Sequence, residues 1–245
     1  LTETVANTCI LDPAHFTLGV AGDLTGGVTV KLVDVEELGY LAKNNQGEVW
    51  IKGDCVLEEY YKNPEETAAA LTPDHWFKTG DIGEWTDRGF LRLIDRKKNL
   101  VKTLNGEYIA LEKLESIYRS NQYVSNICVY ADQTKVKPVA IIYPNIKPLA
   151  TLAKKLGIMN SKSDDSDVDD HLSDRKLVKA VYTDLLKSGS AQGLVGIEML
   201  QGIVFVAEEW TPQNGFVTSA QKLKRKKILD SVQKEVDAIY ASSSK

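Results

Sequence analysis

Apolar residues recur at every second position through residues 28–57. Val28-Thr29-Val30-Lys31-Leu32-Val33 alternates and is rich in β-branched side chains. Residues 47–51 alternate again after the polar turn Lys43-Asn44-Asn45-Gln46-Gly47, so both stretches predict strands. In residues 58–71, Pro64 stands where a helix tolerates proline, and Glu65, Glu66 and three alanines after it predict a short helix. Two short apolar runs, 82–85 and 90–94, flank the turn Thr86-Asp87-Arg88-Gly89 and predict a hairpin. Several short strands with turns between them imply a small β-barrel or distorted sheet. Residues 1–27, with Gly19, Gly22, Gly26 and Gly27, show no strong period and read as loop.

The period changes after residue 100. Leu111, Leu114, Ile117 and Tyr118 share one helical face. Residues 127–130 and 138–143 predict strands and residues 148–156 a helix. Leu177, Val178, Val181, Leu185 and Leu186 make 175–187 an amphipathic helix. A strand over 202–207 and a turn-rich loop over 210–215 follow. Ile228, Val232, Val236 and Ile239 predict one closing helix over 223–240, with residues 242–245 as a fraying tail. The expected fold class is therefore α+β.

Two charged stretches interrupt the pattern. Asp95-Arg96-Lys97-Lys98 has no apolar anchor and makes a natural boundary, so 95–99 is the expected hinge between 1–94 and 100–245. Residues 161–170 carry five aspartates in their last seven positions. No glycine sits at the turn of an EF-hand loop and no glutamate closes it, so a disordered, solvated insertion is expected near 160–172.

Composition narrows the field. The chain has 245 residues, 43% hydrophobic and 26% charged, which is ordinary for a globular protein. A net charge of -4 argues against a general nucleic-acid binder. No apolar run approaches the roughly 20 residues that span a bilayer. Cys9, Cys55 and Cys128 and the three histidines are scattered, without metal or disulfide spacing. Reduced cysteines of this kind predict an intracellular protein.

The candidate chemistry sits at the ends of the hairpin. Asp81 accepts and Arg96 donates hydrogen bonds, so together the two can grip a vicinal diol. The same residues also fit a plain surface hairpin. Lys222 follows a loop with Gly215, Thr218 and Ser219, and a mobile lysine there can reach a phosphate site. It also fits one solvated basic run, 222–227.

The stretch 76–102, WFKTGDIGEWTDRGFLRLIDRKKNLVK, resembles the signature of fatty acyl-CoA synthetases, within the superfamily of adenylate-forming enzymes. Other segments resemble that superfamily in the same order: Leu1-Thr2-Glu3-Thr4, Gly47-Glu48-Val49-Trp50-Ile51-Lys52-Gly53 with Tyr60 and Tyr61, and Gln221-Lys222-Leu223-Lys224-Arg225. Lys102-Thr103-Leu104-Asn105-Gly106-Glu107-Tyr108-Ile109 is similar to the eukaryotic, fungal long-chain form. The family's motif has a glycine where Gln221 stands.

The resemblance implies a fold. Residues 1–94 would be the β-barrel end of a large AMP-binding N-terminal domain, and 100–245 a small α+β lid. Because Leu1 falls inside a motif that lies deep within such proteins, a C-terminal fragment lacking the rest of its N-terminal domain, and inactive alone, is expected. The implied activity is two-step: ATP and a long-chain fatty acid form an acyl-adenylate, and CoA then displaces AMP. ATP, CoA and magnesium are the implied substrates and cofactor.

Site residues follow from the same resemblance. Thr2 would contact the ATP phosphates and Glu3 the magnesium, although Thr-Glu-Thr also fits a turn or helix cap. Asp81 and Arg96 would hold the ribose. Asp95 and Lys98 would form the hinge. Lys222 would be catalytic in the first step, and Lys102, which also fits a surface lysine, would reach the adenylate in the second. Fatty acid, ATP and CoA are the implied partners, with peripheral contact to a membrane such as endoplasmic reticulum or to lipid droplets. A ligase for aryl, short-chain or amino acids, and a non-catalytic interaction fragment, remain alternatives.

Overall fold

The computed structural model describes residues 1–242; of the expected fraying tail 242–245, Ser242 closes the last helix and 243–245 lie outside the described residues. The chain forms two compact units, Leu1–Leu100 and Val101–Lys245.

The first unit is built on an antiparallel meander. A small ladder of β1 (Cys9–Ile10) and β2 (Asp23–Leu24) precedes β3 (Val28–Val33) and β4 (Gln46–Gly53). Helix α1 (Pro64–Ala70) follows, with Pro64 in its first turn and the Asn63 side chain accepting the Glu66 N–H at 3.2 Å. Strands β5 (Phe77–Trp85) and β6 (Leu91–Arg96) complete the sheet in the order β3-β4-β5-β6. Along β4, Gly47, Val49 and Ile51 are buried while the residues between them are not, as period two requires. Of the two expected forms, barrel or distorted sheet, the sheet is what forms: among the described residues the strands make an open sheet and no closed barrel.

At the boundary, β7 (Leu100–Lys102) pairs with β8 (Tyr108–Ala110), leading into α2 (Leu111–Arg119) of the second unit. Next come β9 (Val124–Tyr130), β10 (Val139–Pro144), α3 (Ile146–Lys155), α4 (Arg175–Ala191), β11 (Gly202–Phe205), α5 (Arg225–Ser231) and α6 (Gln233–Ser242). The sheet runs β11-β10-β9, with β10 antiparallel to β9 and parallel to β11.

Both faces of β10 are buried. Ala140 and Ile142 pack with Leu114, Tyr118, Leu149, Val181 and Leu185. Val139 and Ile141 pack on the other side with Trp210, Val217, Ile228 and Val236. A strand covered on two sides is continuously apolar, which is why 139–142 reads as a run. The mixed α+β class is as the pattern predicts.

Three local readings differ from the expectation. The acidic stretch is a 3-10 helix, Asp165–His171, rather than a disordered insertion. Asp164 accepts from the Ser166 N–H at 3.0 Å, Lys154 pairs with Asp165 at 2.8 Å, and Val168 is buried in the core. One apolar side chain and one cap hold a segment whose composition says solvent. The closing helix is two helices, broken at Val232. Helix α4 runs one turn past 187, and Gly189 in that turn lies against Tyr118; a Cβ there would sit 2.9 Å from the Tyr118 ring and hydroxyl.

Candidate functional site

The turn Thr86–Gly89 brings Asp81 and Arg96 into register as cross-strand partners on β5 and β6. Arg96 Nε lies 3.0 Å from Asp81 Oδ1. Asp81 is buried, and its N–H donates to Thr79 Oγ1 at 3.0 Å, whose hydroxyl in turn donates to the Val49 carbonyl at 2.8 Å. Gly80 adopts φ +70° between them, a conformation that favours glycine. The pair is thus fixed by strand pairing rather than by long side chains finding one another on a surface.

Arg96, Thr79 and Gly80 line a cleft of about 280 Å³ together with Glu3, Tyr60 and Lys78. Asp81 and Thr79 line an adjoining cleft of about 240 Å³. Glu3 lies in the 3-10 turn Thr2–Thr4. Tyr60 Oη donates to Glu3 Oε1 at 3.2 Å, across a separation of 57 residues. Burial, with the Glu3 charge second, raises the Tyr60 hydroxyl above its ordinary value and keeps it a neutral donor. Val5 and Ala6, which follow, have φ +52° and +55°. Left-handed backbone costs a side-chain-bearing residue about 1–2 kcal/mol, so this turn is held in a strained form.

Glu3, Asp81 and Arg96 therefore come together in the first unit. Thr2 is exposed beside Glu3. Asp95 is buried and accepts from the Arg96 N–H at 2.6 Å and from Asn99 Nδ2 at 3.5 Å, while Lys98 is exposed in the 3-10 turn Lys97–Asn99. Trp76, before the Gly80-Asp81 turn, takes Lys31 over its ring at 4.1 Å. Buried Phe77 fills the interior position.

The donor set suits a magnesium ion only of one kind. Among the described residues no group of three or more His, Cys, Asp or Glu side chains could enclose a metal. Magnesium bound with substrate phosphates needs only one or two protein carboxylates and keeps several waters, and Glu3 beside a hydroxyl donor fits that requirement.

Lys102 and Lys222 belong to the second unit. Lys102 is exposed on β7, its Nζ 5.7 Å from the Tyr108 ring centre. Lys222 is exposed at the end of a tight turn. Thr218 N–H donates to the Lys222 carbonyl at 2.9 Å, and Lys222 N–H to Thr218 Oγ1 at 3.1 Å. Gln221 adopts φ +59°, which explains why the related motif carries glycine there.

Reasoning from sequence missed two groups. Tyr60 reaches Glu3 from a distant segment, and nothing local announces it. Arg225 lies in the basic run 222–227, whose pattern implies solvation, but it turns inward onto Glu115.

The Asp81–Arg96 pair thus borders two adjoining clefts, Arg96 on one and Asp81 on the other. The family model described as AMP-binding enzyme matches residues 1–61. Over nearly its whole length the chain is similar to fungal long-chain-fatty-acid–CoA ligases. It is 73% identical to long-chain-fatty-acid–CoA ligase 1 of Saccharomyces cerevisiae over 99% of this chain, and spans 35% of that relative's length. Among solved structures, the adenylation domain of a Mycobacterium chelonae carboxylate reductase matches 95% of this chain and 38% of its own, with TM-score 0.76 and 25% identity. The corresponding domain from Segniliparus rugosus, in complex with AMP and a co-purified carboxylic acid, matches 96% of this chain and 38% of its own, with TM-score 0.73 and 25% identity.

Proposed function

We propose that the chain serves the ATP-dependent conversion of long-chain fatty acids to CoA thioesters, as part of a ligase of its relatives' length. The observation that carries this reading is the cross-strand Asp81–Arg96 pair beside the Glu3–Tyr60 cleft. The similarity to fatty-acid ligases supports the acyl class.

In the first step a carboxylate oxygen attacks the α-phosphorus of ATP. An O–P bond forms, the bond to the bridging oxygen breaks, and pyrophosphate leaves. In the second step the CoA sulfur attacks the acyl carbonyl. The C–S bond forms, the C–O bond to AMP breaks, and the thiol proton is released. Asp81 accepts from the ribose hydroxyls and Arg96 donates to them. Thr2 donates to the phosphates, and Tyr60 orients Glu3. Magnesium, when bound beside Glu3, neutralises phosphate charge. Lys222 offsets charge building on the α-phosphate and the attacking carboxylate in the first step. Lys102 serves the adenylate in the second, with a swing about Asp95 and Lys98 between the two steps.

Peripheral contact with endoplasmic reticulum or lipid droplets belongs to this reading. The exposed Lys224 and Lys226 support it, since anionic headgroups attract such cations. No helix among the described residues is long and apolar enough to cross a membrane.

The test is turnover by a ligase of the relatives' full length carrying this sequence. Palmitate and oleate should give AMP and thioester. Asp81→Asn should lower kcat/KM for ATP by about 10- to 100-fold, as expected for a charged hydrogen bond. Turnover only with aryl or short acids would sink the fatty-acid assignment, and unchanged kinetics in Asp81→Asn would sink the ribose role.

A further inference from the structure

Arg225 opens α5, three residues after Lys222. Its guanidinium forks onto Glu115, Nη1 to Oε1 and Nη2 to Oε2, the latter at 2.9 Å. Nη1 also donates to the Val129 carbonyl at 3.3 Å. Glu115, only 5% exposed on α2, accepts the Val129 N–H at 2.8 Å. Val129 lies on β9, an edge strand of the three-stranded sheet. The pair therefore closes both peptide groups that this residue turns away from β10. Burial disfavours the guanidinium charge, yet the hydrogen bond and charge of Glu115 outweigh it and hold Arg225 above its ordinary value.

Lys222 is held from two sides. On one, Val217 is buried and pairs with Leu223. On the other, Lys224 N–H donates to the Phe216 carbonyl at 2.8 Å and the chain passes directly to Arg225. Three residues span at most about 10 Å, so the anchor of Arg225 limits where the Lys222 backbone can lie.

We propose that Arg225 is a positioning residue for Lys222: forked onto Glu115, it fixes the start of α5 and with it the backbone that presents the lysine to the adenylation step. This rests on the role of Lys222 given above. Lysine is a poor substitute for Arg225, because it carries the charge without the planar two-donor fork.

The experiment uses the full-length ligase and measures two reactions separately. One is pyrophosphate release from ATP and palmitate. The other is thioester formation from prepared palmitoyl-adenylate and CoA. R225K and E115Q should each lower the first by about 10- to 100-fold, the scale of a misplaced catalytic group, and leave the second unchanged. In the K222A background R225K should add no further loss, because the two residues act as one unit. Equal loss in both reactions, losses that multiply with K222A, or full adenylation in R225K and E115Q would overturn the proposal. So would failure of both variants to fold, since the pair would then serve stability alone. Full adenylation by K222A itself would instead remove the role of the lysine on which the proposal rests.

Discussion

The two units solve burial differently. The first covers one face of its sheet, where Val49, Ile51 and Leu91 form a small core. Its other face shows Lys31, Trp50 and Lys78 in cross-strand line, with Lys31 and Lys78 at 5.0 and 5.9 Å from the Trp50 ring. The second unit covers both faces of its sheet with helices and buries a large cluster on each. The Asp81–Arg96 pair thus rides on a one-sided sheet whose precision comes from strand register, while the second unit carries Lys102 and Lys222 on short segments anchored to a deep core. Hydrophobic stabilisation scales with apolar area removed from water, so the second unit should be the more stable.

The sharpest way to test that contrast is Arg225→Met. It strands Glu115 and the Val129 carbonyl in a buried site, and the expected loss is about 3–5 kcal/mol. Calorimetry should show the transition of the second unit falling while that of the first stays; movement of both would mean that the units do not unfold independently. Ile141→Ala comes next, at about 2–5 kcal/mol for a fully buried side chain on the central strand. Val30→Ala on the one-sided sheet should cost nearer 1 kcal/mol, and equal urea midpoint shifts for the two would erase the difference between the cores.

Alkaline pH gives a gentler test. Burial pushes the Cys128 thiol up from 9.0 to about 12, with smaller opposing influence from Arg225. The protonated thiol is the form that the fold favours, so its contribution is complete below pH 9 and is lost as pH rises from 9 to 12. Denaturant titrations should show stability declining over that window, less steeply in Cys128→Val. At pH 8 the wild-type thiol should react with an aromatic disulfide reagent only as the unit unfolds; rapid labelling of the native protein would contradict its burial. The smallest effect belongs to Gln221→Gly, which relieves left-handed backbone and should raise the melting temperature by the equivalent of up to about 1 kcal/mol. A lowered melting temperature would show that the Gln221 side chain makes a contact worth more than the strain.

Much of the fold was legible because it is local. Strand alternation in β3 and β4, the β5–β6 hairpin with its turn at Thr86–Gly89, the start of α1 at Pro64 and the apolar stripe of α4 all lie within a window that one period can fill. The misreadings share a cause. The barrel, the flexible acidic segment and the single closing helix follow from composition or from continuity of period, but closure, the seating of Val168 and the break at Val232 depend on what lies across the core. The site divides the same way. Asp81 and Arg96 were found because one hairpin contains both, whereas Tyr60 and Arg225 act on residues 57 and 110 positions away.

By itself, the sequence determined the elements, the α+β class, and the residue types available for diol, phosphate and carboxylate chemistry, because these follow from periodicity and from side-chain functional groups. Only the tertiary structure decided which of those groups meet. It set Tyr60 on Glu3, and withdrew Arg225 from a run of solvated cations into a fork with Glu115. The physical reason is that a charge becomes structural only where burial removes its water and a distant segment supplies its partner, and no local window contains both conditions.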